Sequence, residues 1–122
     1  MQIAYVNIFV SDLDEAIAFY QGKLGLDIQF SSPEHGYASL AAGPIRLGLA
    51  VPGPGESQLI GRHTGVGLDV TDLEAEHDRL VGLGVNFTMP PAKQPWGGFM
   101  ALISDPDGNV LYLDQVSAAH GG

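Results

Sequence analysis

An internal duplication is the feature that most constrains the fold of this 122-residue chain. Residues 6–13 read VNIFVSDL and residues 66–73 read VGLDVTDL, with four of eight positions identical. Further along, Leu24-Gly25-Leu26 corresponds to Leu83-Gly84-Val85. The repeat indicates two similar modules, each too small to be stable alone, that share one core. Chance similarity between two short strand–helix units is the alternative.

Each copy begins with the pattern of a strand followed by a capped helix. Residues 3–10 alternate, which predicts a strand with two different faces. One face carries Val6, Ile8 and Val10. The other carries Tyr5, Asn7 and Phe9. Asp12 and Glu15 have the spacing of a capping box, and Gly25 stands where a left-handed helix end is expected.

The second copy repeats this pattern. Thr71 or Asp72 is the expected N-cap, and Gly84 is the expected helix end. The apolar stripe of this helix contains Leu73, His77, Leu80 and Val81. On such a stripe His77 is interpreted as a partly buried structural residue rather than a metal ligand.

Three short strands are predicted after each helix. In the first module they span 27–31, 37–41 and 45–51, and in the second 85–88, 99–104 and 110–115. Asp105-Pro106-Asp107-Gly108-Asn109 is a dense turn sequence between the last two strands, where Asp side chains bond to the backbone. A Pro- and Gly-rich linker spans 52–62. The fold class is therefore α+β, with two tandem βαβββ modules.

Composition excludes several classes of function. The chain has no cysteine, which excludes disulfides, thiolate metal sites and cysteine nucleophiles. Its net charge is −9 and its five basic residues are scattered, so we expect neither a nucleic-acid partner nor an anionic membrane surface. No apolar run is long enough for a membrane span, and no signal-peptide pattern is seen. A cytoplasmic location is the resulting expectation.

The order and spacing of these motifs resemble the vicinal oxygen chelate superfamily, which includes glyoxalase I, bleomycin-resistance proteins and extradiol dioxygenases. The matching residues are Val10-Ser11-Asp12-Leu13 before Ala18-Phe19-Tyr20, together with the 105–109 turn. The resemblance implies a single domain over 1–122, with module 1 at about 1–51, the linker at 52–62 and module 2 at about 63–116. It also implies a cupped mixed sheet with the helices outside, a ligand cleft inside the cup, and a homodimer.

The resemblance further implies four positions at which metal-using members carry ligands. In this sequence those positions are Tyr5, Leu47, Gly65 and Tyr112. Divalent ions need imidazole or carboxylate donors, so this set predicts no metal and no cofactor. His63, two residues before Gly65, is the one reservation, and a divalent metal in an altered site remains the less favoured possibility. His35 and His120 are expected in solvent.

The residues expected to line the cleft are largely aromatic or apolar, with a few polar groups. They are Tyr5, Asn7, Phe9, Leu47, His63, Asp69, Trp96, Phe99 and Tyr112, with Met100 a further candidate and Met89 and Tyr37 at the rim. This composition is typical of a small-molecule site, although the same aromatic residues could instead fill the cup as core. Residues 90–98 are a candidate for a mobile loop or an ordinary connection.

Three functions remain open from the sequence. The first is a metal-independent protein that binds a small, aromatic or apolar molecule, as the resemblance to bleomycin-resistance proteins implies. The alternative is a lyase, isomerase or dioxygenase of the glyoxalase type with an altered metal site. The third is a scaffold whose cleft is filled by its own side chains. No phosphate loop, nucleophile elbow or spaced carboxylate pair points to another chemistry.

Overall fold

A computed structural model describes residues 1–115 of the chain, so His120 lies outside the described residues. Within them the fold consists of eight strands and two principal helices. The strands are β1 (Tyr5–Phe9), β2 (Ile28–Ser32), β3 (Tyr37–Ala42), β4 (Ile45–Ala50), β5 (His63–Val70), β6 (Asn86–Lys93), β7 (Phe99–Ser104) and β8 (Val110–Gln115). Helix α1 spans Leu13–Ile17 and α2 spans Leu73–Gly82. Neither these helices nor the shorter helical turns within 1–115 have the length and apolar character of a membrane span.

The strands form two four-stranded mixed sheets, in the orders β1-β4-β3-β2 and β5-β8-β7-β6. β1 runs parallel to β4, and β5 runs parallel to β8. The other neighbouring strands in each sheet are antiparallel. The two sheets have the same topology, which confirms the predicted α+β class and the pair of βαβββ modules. The boundaries of β7 and β8 are those predicted from the sequence.

In the first module, α1 packs against β3 and β4. The core on that side of the sheet includes Ile8, Leu40 and Leu49, all at most 2% exposed. Asp12 caps the helix, because its side chain accepts a hydrogen bond from the Glu15 backbone N–H at 3.0 Å.

The continuation of α1 differs from the predicted regular helix. Residues Ala18–Lys23 form a π-helical segment, which has more residues per turn than an α-helix. The wider turn buries both Phe19 and Tyr20, whose rings meet edge to face at a centroid distance of 5.0 Å. Gly25 follows with φ of 83°, as predicted for the helix end.

In the second module, Asp72 is the N-cap of α2 and accepts a hydrogen bond from Ala75 N–H. Gly84, with φ of 82°, ends the helix in a Schellman arrangement, since the N–H of Val85 bonds to the carbonyl of Leu80. The predicted stripe is only partly correct, because Val81 is 51% exposed. The ring of His77 packs edge to face on Phe87 at 4.6 Å, which agrees with a structural role.

The predicted turn at 105–109 is present, and its side chains bond well beyond the turn. Asn109 is 1% exposed. Its Oδ1 accepts hydrogen bonds from the backbone N–H groups of Gly61 and Arg62, and its Nδ2 donates to the carbonyl of Phe9 at 2.8 Å. Asp107 accepts from both the backbone N–H and the hydroxyl of Ser11. The turn therefore fixes the end of β1 and the end of the linker.

The chain divides into two compact units. The first contains Met1–Arg62 together with Pro106–Asn109, so the turn just described belongs to it. The second contains His63–Asp105 and the chain from Val110 onward. Each unit contains one sheet and one of the two helices.

Candidate functional site

In the first unit, the sheet face opposite α1 carries a continuous row of residues across its four strands. The strand register aligns Asn7 with Gly48, Gly48 with Ser39, and Ser39 with Phe30. Residues paired directly across neighbouring strands point to the same side of a sheet. Tyr5 and Phe9 lie two residues on either side of Asn7 and share this face. The predicted grouping of Tyr5, Asn7 and Phe9 is therefore present.

Leu47 does not belong to this face, and its prediction as a cleft residue is wrong. The register aligns Leu47 with Val6 and with Leu40, both on the helix side of the sheet. Leu47 is only 2% exposed, as a core residue would be. The position that the resemblance implies lies one residue before Gly48, and a shift of one residue along a strand reverses the face. Gly48 is the residue of β4 that stands between Asn7 and Ser39.

The space above Gly48 is occupied from two sides by polar atoms. A Cβ atom at this position would lie 2.1 Å from Asn7 Oδ1 and 2.8 Å from the Tyr37 hydroxyl oxygen. Both distances are below van der Waals contact, so only glycine permits this approach. Tyr37, predicted at a rim, thus extends over the centre of the sheet face.

Ser39, the direct neighbour of Gly48 on β3, has a buried hydroxyl without a partner. The residue is 2% exposed, and its Oγ has no hydrogen-bond partner within the described part of the chain. A buried polar atom normally finds a partner, because leaving it unsatisfied costs about 1–3 kcal/mol. The hydroxyl therefore represents unused hydrogen-bonding capacity on this face.

In the second unit, the corresponding face carries His63, Asp69 and Tyr112. The register aligns His63 with Val110, Gly67 with Tyr112, and Asp69 with Asp114. The rings of His63 and Tyr112 lie 5.0 Å apart and are tilted by 56°. The strand register shifts between His63 and Gly67, where Gly65 has a φ of 73°. This irregularity brings the two rings together.

Phe99 lies on the other face of this sheet, which corrects its prediction as a cleft residue. It alternates with Ala101 and Ile103, both fully buried, and these residues are aligned with core positions of β8. Met100 and Met89 share the face of Tyr112 instead, because Met100 is aligned with Asp114 and Met89 with Leu102. Both methionines therefore lie on the predicted side.

The segment 90–98 is not a continuous loop. Strand β6 extends to Lys93, and only the residues after it form a turn. Pro90 and Pro91 are accommodated because β6 is an edge strand with a register shift between Met89 and Ala92. Trp96, in the turn, is 68% exposed, and its indole lies against Gly98.

The positions that the resemblance implies for a metal do not suit a divalent ion. Gly65 provides no side chain, Leu47 lies on the helix side of its sheet, and Tyr5 and Tyr112 provide only phenols. No group of three His, Asp or Glu side chains that could hold an ion occurs within residues 1–115. The donor set therefore does not fit the metal that other members of such a family use.

The orientation of His63 adds to this mismatch. Its Nδ1 accepts a hydrogen bond from the backbone N–H of Gly65 at 3.1 Å. An accepting Nδ1 carries no hydrogen, so the hydrogen of the neutral ring is on Nε2. Nε2 then carries an N–H and has no lone pair for a metal. In a metal-bound histidine, one ring nitrogen binds the metal and the other donates its N–H to a neighbouring acceptor. In this geometry His63 is suited to donate a hydrogen bond to a ligand oxygen.

Three residues of the first face were not singled out from the sequence: Phe30, Ser39 and Gly48. Phe30 is 56% exposed and neighbours Ser39 in the register. The sequence contained only part of the information needed to find them. Alternation along β3 and β4 identifies which residues share a face, but it does not show which residues of different strands are adjacent. The strand register supplies that information.

The model of the Glyoxalase/Bleomycin resistance protein/Dioxygenase superfamily matches residues 2–113. The curated proteins gave no match. Among solved structures, TnmS3, described as an antibiotic binding protein from Streptomyces sp. CB03234, is 32% identical with a TM-score of 0.81, covering 96% of this chain and 97% of its own.

Two further structures extend the comparison. A superfamily member from Sphaerobacter thermophilus DSM 20745 is 28% identical with a TM-score of 0.79, over 94% of this chain and 97% of its own. A lactoylglutathione lyase from Agrobacterium tumefaciens, 20% identical with a TM-score of 0.77 over 93% and 92%, is similar in fold. With its duplicated βαβββ modules and a family match over nearly its whole length, the chain belongs to the Glyoxalase/Bleomycin resistance protein/Dioxygenase superfamily.

Proposed function

We propose that this protein binds a small aromatic or apolar molecule on the helix-free faces of its sheets, without the metal that many superfamily members use. The observation that carries the proposal is the exposure of aromatic side chains on the first of these faces. Tyr5 is 53% exposed and Phe30 is 56% exposed, and both share the side of the sheet opposite α1. The two rings stand on the opposite edge strands β1 and β2 of one face, where both are open to a ligand that lies across the sheet.

The residues of this face suit a ligand with ring systems. Phe9 and Tyr37 add two partly buried rings to the exposed pair, and Asn7 stands among them as a polar group. Aromatic side chains offer large contact areas and favour offset or edge-to-face packing with other rings. The similarity to TnmS3, which is described as an antibiotic binding protein, supports a natural product as the ligand class.

A second face of different chemistry is available in the second unit. There the paired rings of His63 and Tyr112 share a face with Asp69 and Asp114, which are aligned with each other. This face is suited to groups that accept from His63 Nε2 or donate to a carboxylate. The predicted roles of His63, Asp69 and Tyr112 in binding are retained in the proposal, together with that of Trp96.

The test is a binding titration with planar aromatic antibiotics, using doxorubicin as the first probe. Fluorescence of Trp96, the one tryptophan of the sequence, and calorimetry report binding. We expect Tyr5→Ala to weaken the binding of a probe, because Tyr5 is exposed on the aromatic face. Val81→Ala is the matched control, since Val81 is similarly exposed on α2. Equal affinity of both variants, or no binding across a wider panel of aromatic natural products, would count against the proposal.

The proposal includes a cytoplasmic homodimer that binds neither nucleic acid nor membrane. Support for the last two points comes from the net charge of −9, which opposes approach to phosphate. Sedimentation velocity measures the oligomeric state directly, and a monomer at micromolar concentration would remove the dimer from the proposal.

A further inference from the structure

We infer that Asn7, Tyr37 and Ser39 form a polar subsite that receives a neutral oxygen-bearing group of the ligand, such as a hydroxyl or a carbonyl. The inference rests on the proposed function, because it assigns a chemistry to part of the aromatic face of the first sheet. We call these three residues, together with Gly48 beneath them, the Gly48 subsite.

The first observation is the convergence of two polar atoms on a position that a side chain would normally fill. Asn7 Oδ1 and the Tyr37 hydroxyl oxygen lie 2.1 and 2.8 Å, respectively, from the point where a Cβ of residue 48 would stand. No hydrogen bond joins either side chain to another group within residues 1–115. Glycine at position 48 therefore leaves room for two groups that retain their hydrogen-bonding capacity.

The second observation is independent of the first and concerns Ser39. This residue is paired with Gly48 across β3 and β4 and lies on the same side of the sheet. Its hydroxyl is buried and unsatisfied, although the described chain satisfies its other buried side-chain polar atoms. A hydroxyl that is unpaired at a cost to stability indicates a partner outside the described residues, and a bound ligand can provide it.

The chemistry of the three groups defines the ligand class. An amide and two hydroxyls can each accept or donate, and none of them carries a charge. A neutral hydroxyl or carbonyl is matched to such a set, because these three side chains offer a charged group hydrogen bonds but no opposite charge. The neighbouring Phe30, aligned with Ser39, provides an apolar surface for the ring that bears the oxygen. The subsite thus favours a phenol or quinone over the bare ring.

The experiment compares 1-naphthol with naphthalene, two probes that differ by one hydroxyl, by chemical-shift titration. We expect the wild-type protein to bind 1-naphthol about three- to tenfold more tightly, the ratio that corresponds to one net hydrogen bond. Ser39→Ala should remove most of this preference and leave the affinity for naphthalene unchanged. Ser31→Ala is the matched control, because Ser31 is an exposed serine on β2 of the same sheet, aligned with Ala38 on its other side.

Thermal unfolding gives a readout that a purely structural serine would not produce. Removing an unsatisfied buried hydroxyl should raise the melting temperature of the unliganded protein by a few degrees while it weakens 1-naphthol binding. Gly48→Ala, whose methyl group displaces Asn7, should also abolish the preference for 1-naphthol. A lower melting temperature for Ser39→Ala would overturn the assignment of its hydroxyl as unsatisfied.

The outcomes separate this inference from the function on which it depends. Equal affinity of the wild-type protein for both probes overturns the Gly48 subsite but leaves aromatic binding intact. Binding of neither probe contradicts both the subsite and the aromatic face. A preference for 1-naphthol that persists in Ser39→Ala and in Gly48→Ala would place the recognition of the hydroxyl elsewhere, and it would also overturn the inference.

Discussion

Replacement of Asn109 by alanine should destabilise the protein far more than an ordinary substitution in a turn. The side chain is 1% exposed and satisfies three backbone groups: the N–H groups of Gly61 and Arg62 and the carbonyl of Phe9. These groups belong to the linker and to the end of β1. The substitution removes every one of these bonds at once and leaves no polar side chain in their place.

The magnitude follows from the value of each bond. A net contribution of about 0.5–1.5 kcal/mol per hydrogen bond, with unsatisfied buried groups at the upper end, gives a loss of about 2–4 kcal/mol for Asn109→Ala. For a chain of this size, 1 kcal/mol changes the melting temperature by roughly 4 °C. The expected decrease is therefore about 8–16 °C, accompanied by a lower urea midpoint at an unchanged m-value.

Circular dichroism during thermal and urea unfolding measures this effect, with Asn86→Ala as control. Asn86 is exposed and makes one side-chain bond, to the Ser104 hydroxyl at 3.2 Å. Its replacement should cost less than about 0.5 kcal/mol. If Asn109→Ala shifted the melting temperature no more than Asn86→Ala does, the bridging role assigned to Asn109 would be refuted.

Three further predictions concern the second module and metal binding. Asp72→Ala should cost about 1 kcal/mol, because Asp72 caps α2, while Thr71→Ala should be nearly neutral; urea titration distinguishes the two. Gly84→Ala should destabilise the protein by about 1 kcal/mol, because the φ of Gly84 is 82°. Gly82→Ala should instead stabilise it by about 0.5–1 kcal/mol, because Gly82 lies within the helix and has open space around it. Stability changes of the same sign for both variants would contradict the helix end described. Addition of Ni²⁺, Zn²⁺ or Mn²⁺ should leave the melting temperature unchanged within about 1 °C, because the donor set does not fit a divalent ion; a rise that chelator reverses, or stoichiometric metal in elemental analysis of the purified protein, would refute this.

The fold could be predicted because its signals are local. The caps Asp12 and Asp72 and the helix ends Gly25 and Gly84 each have a short-range physical cause, and all four have their predicted roles. Strand alternation likewise identified the shared face of β1. The π-helical segment after α1 had no comparable signal, since its extra residue is stabilised by the burial of Phe19 and Tyr20 rather than by a sequence motif.

The candidate site was harder to predict because it depends on register. Leu47 and Phe99 were assigned to the wrong faces, and each error amounts to one residue along a strand. Alternation specifies which residues of a strand share a face, but pairing with neighbouring strands decides which residues meet. Ser39 and Gly48 became recognisable only once the register had placed them in one row with Asn7. The prediction that Pro90 and Pro91 lie in a loop failed because edge strands tolerate proline.

The two modules carry their central glycine on opposite members of the parallel strand pair. The repeat relates Asn7 to Gly67, and the register aligns Asn7 with Gly48 and Gly67 with Tyr112. At the centre of each sheet a glycine therefore stands beside a larger residue, but the glycine belongs to β4 in the first module and to β5 in the second. Asn7 Oδ1 and the Tyr37 hydroxyl take up the space above Gly48, whereas a Cβ at Gly67 would meet the Tyr112 Cβ at 3.9 Å. At this place the first face therefore carries an amide and hydroxyls, and the second carries the paired rings of His63 and Tyr112. On one topology the two modules therefore present different side chains at equivalent positions.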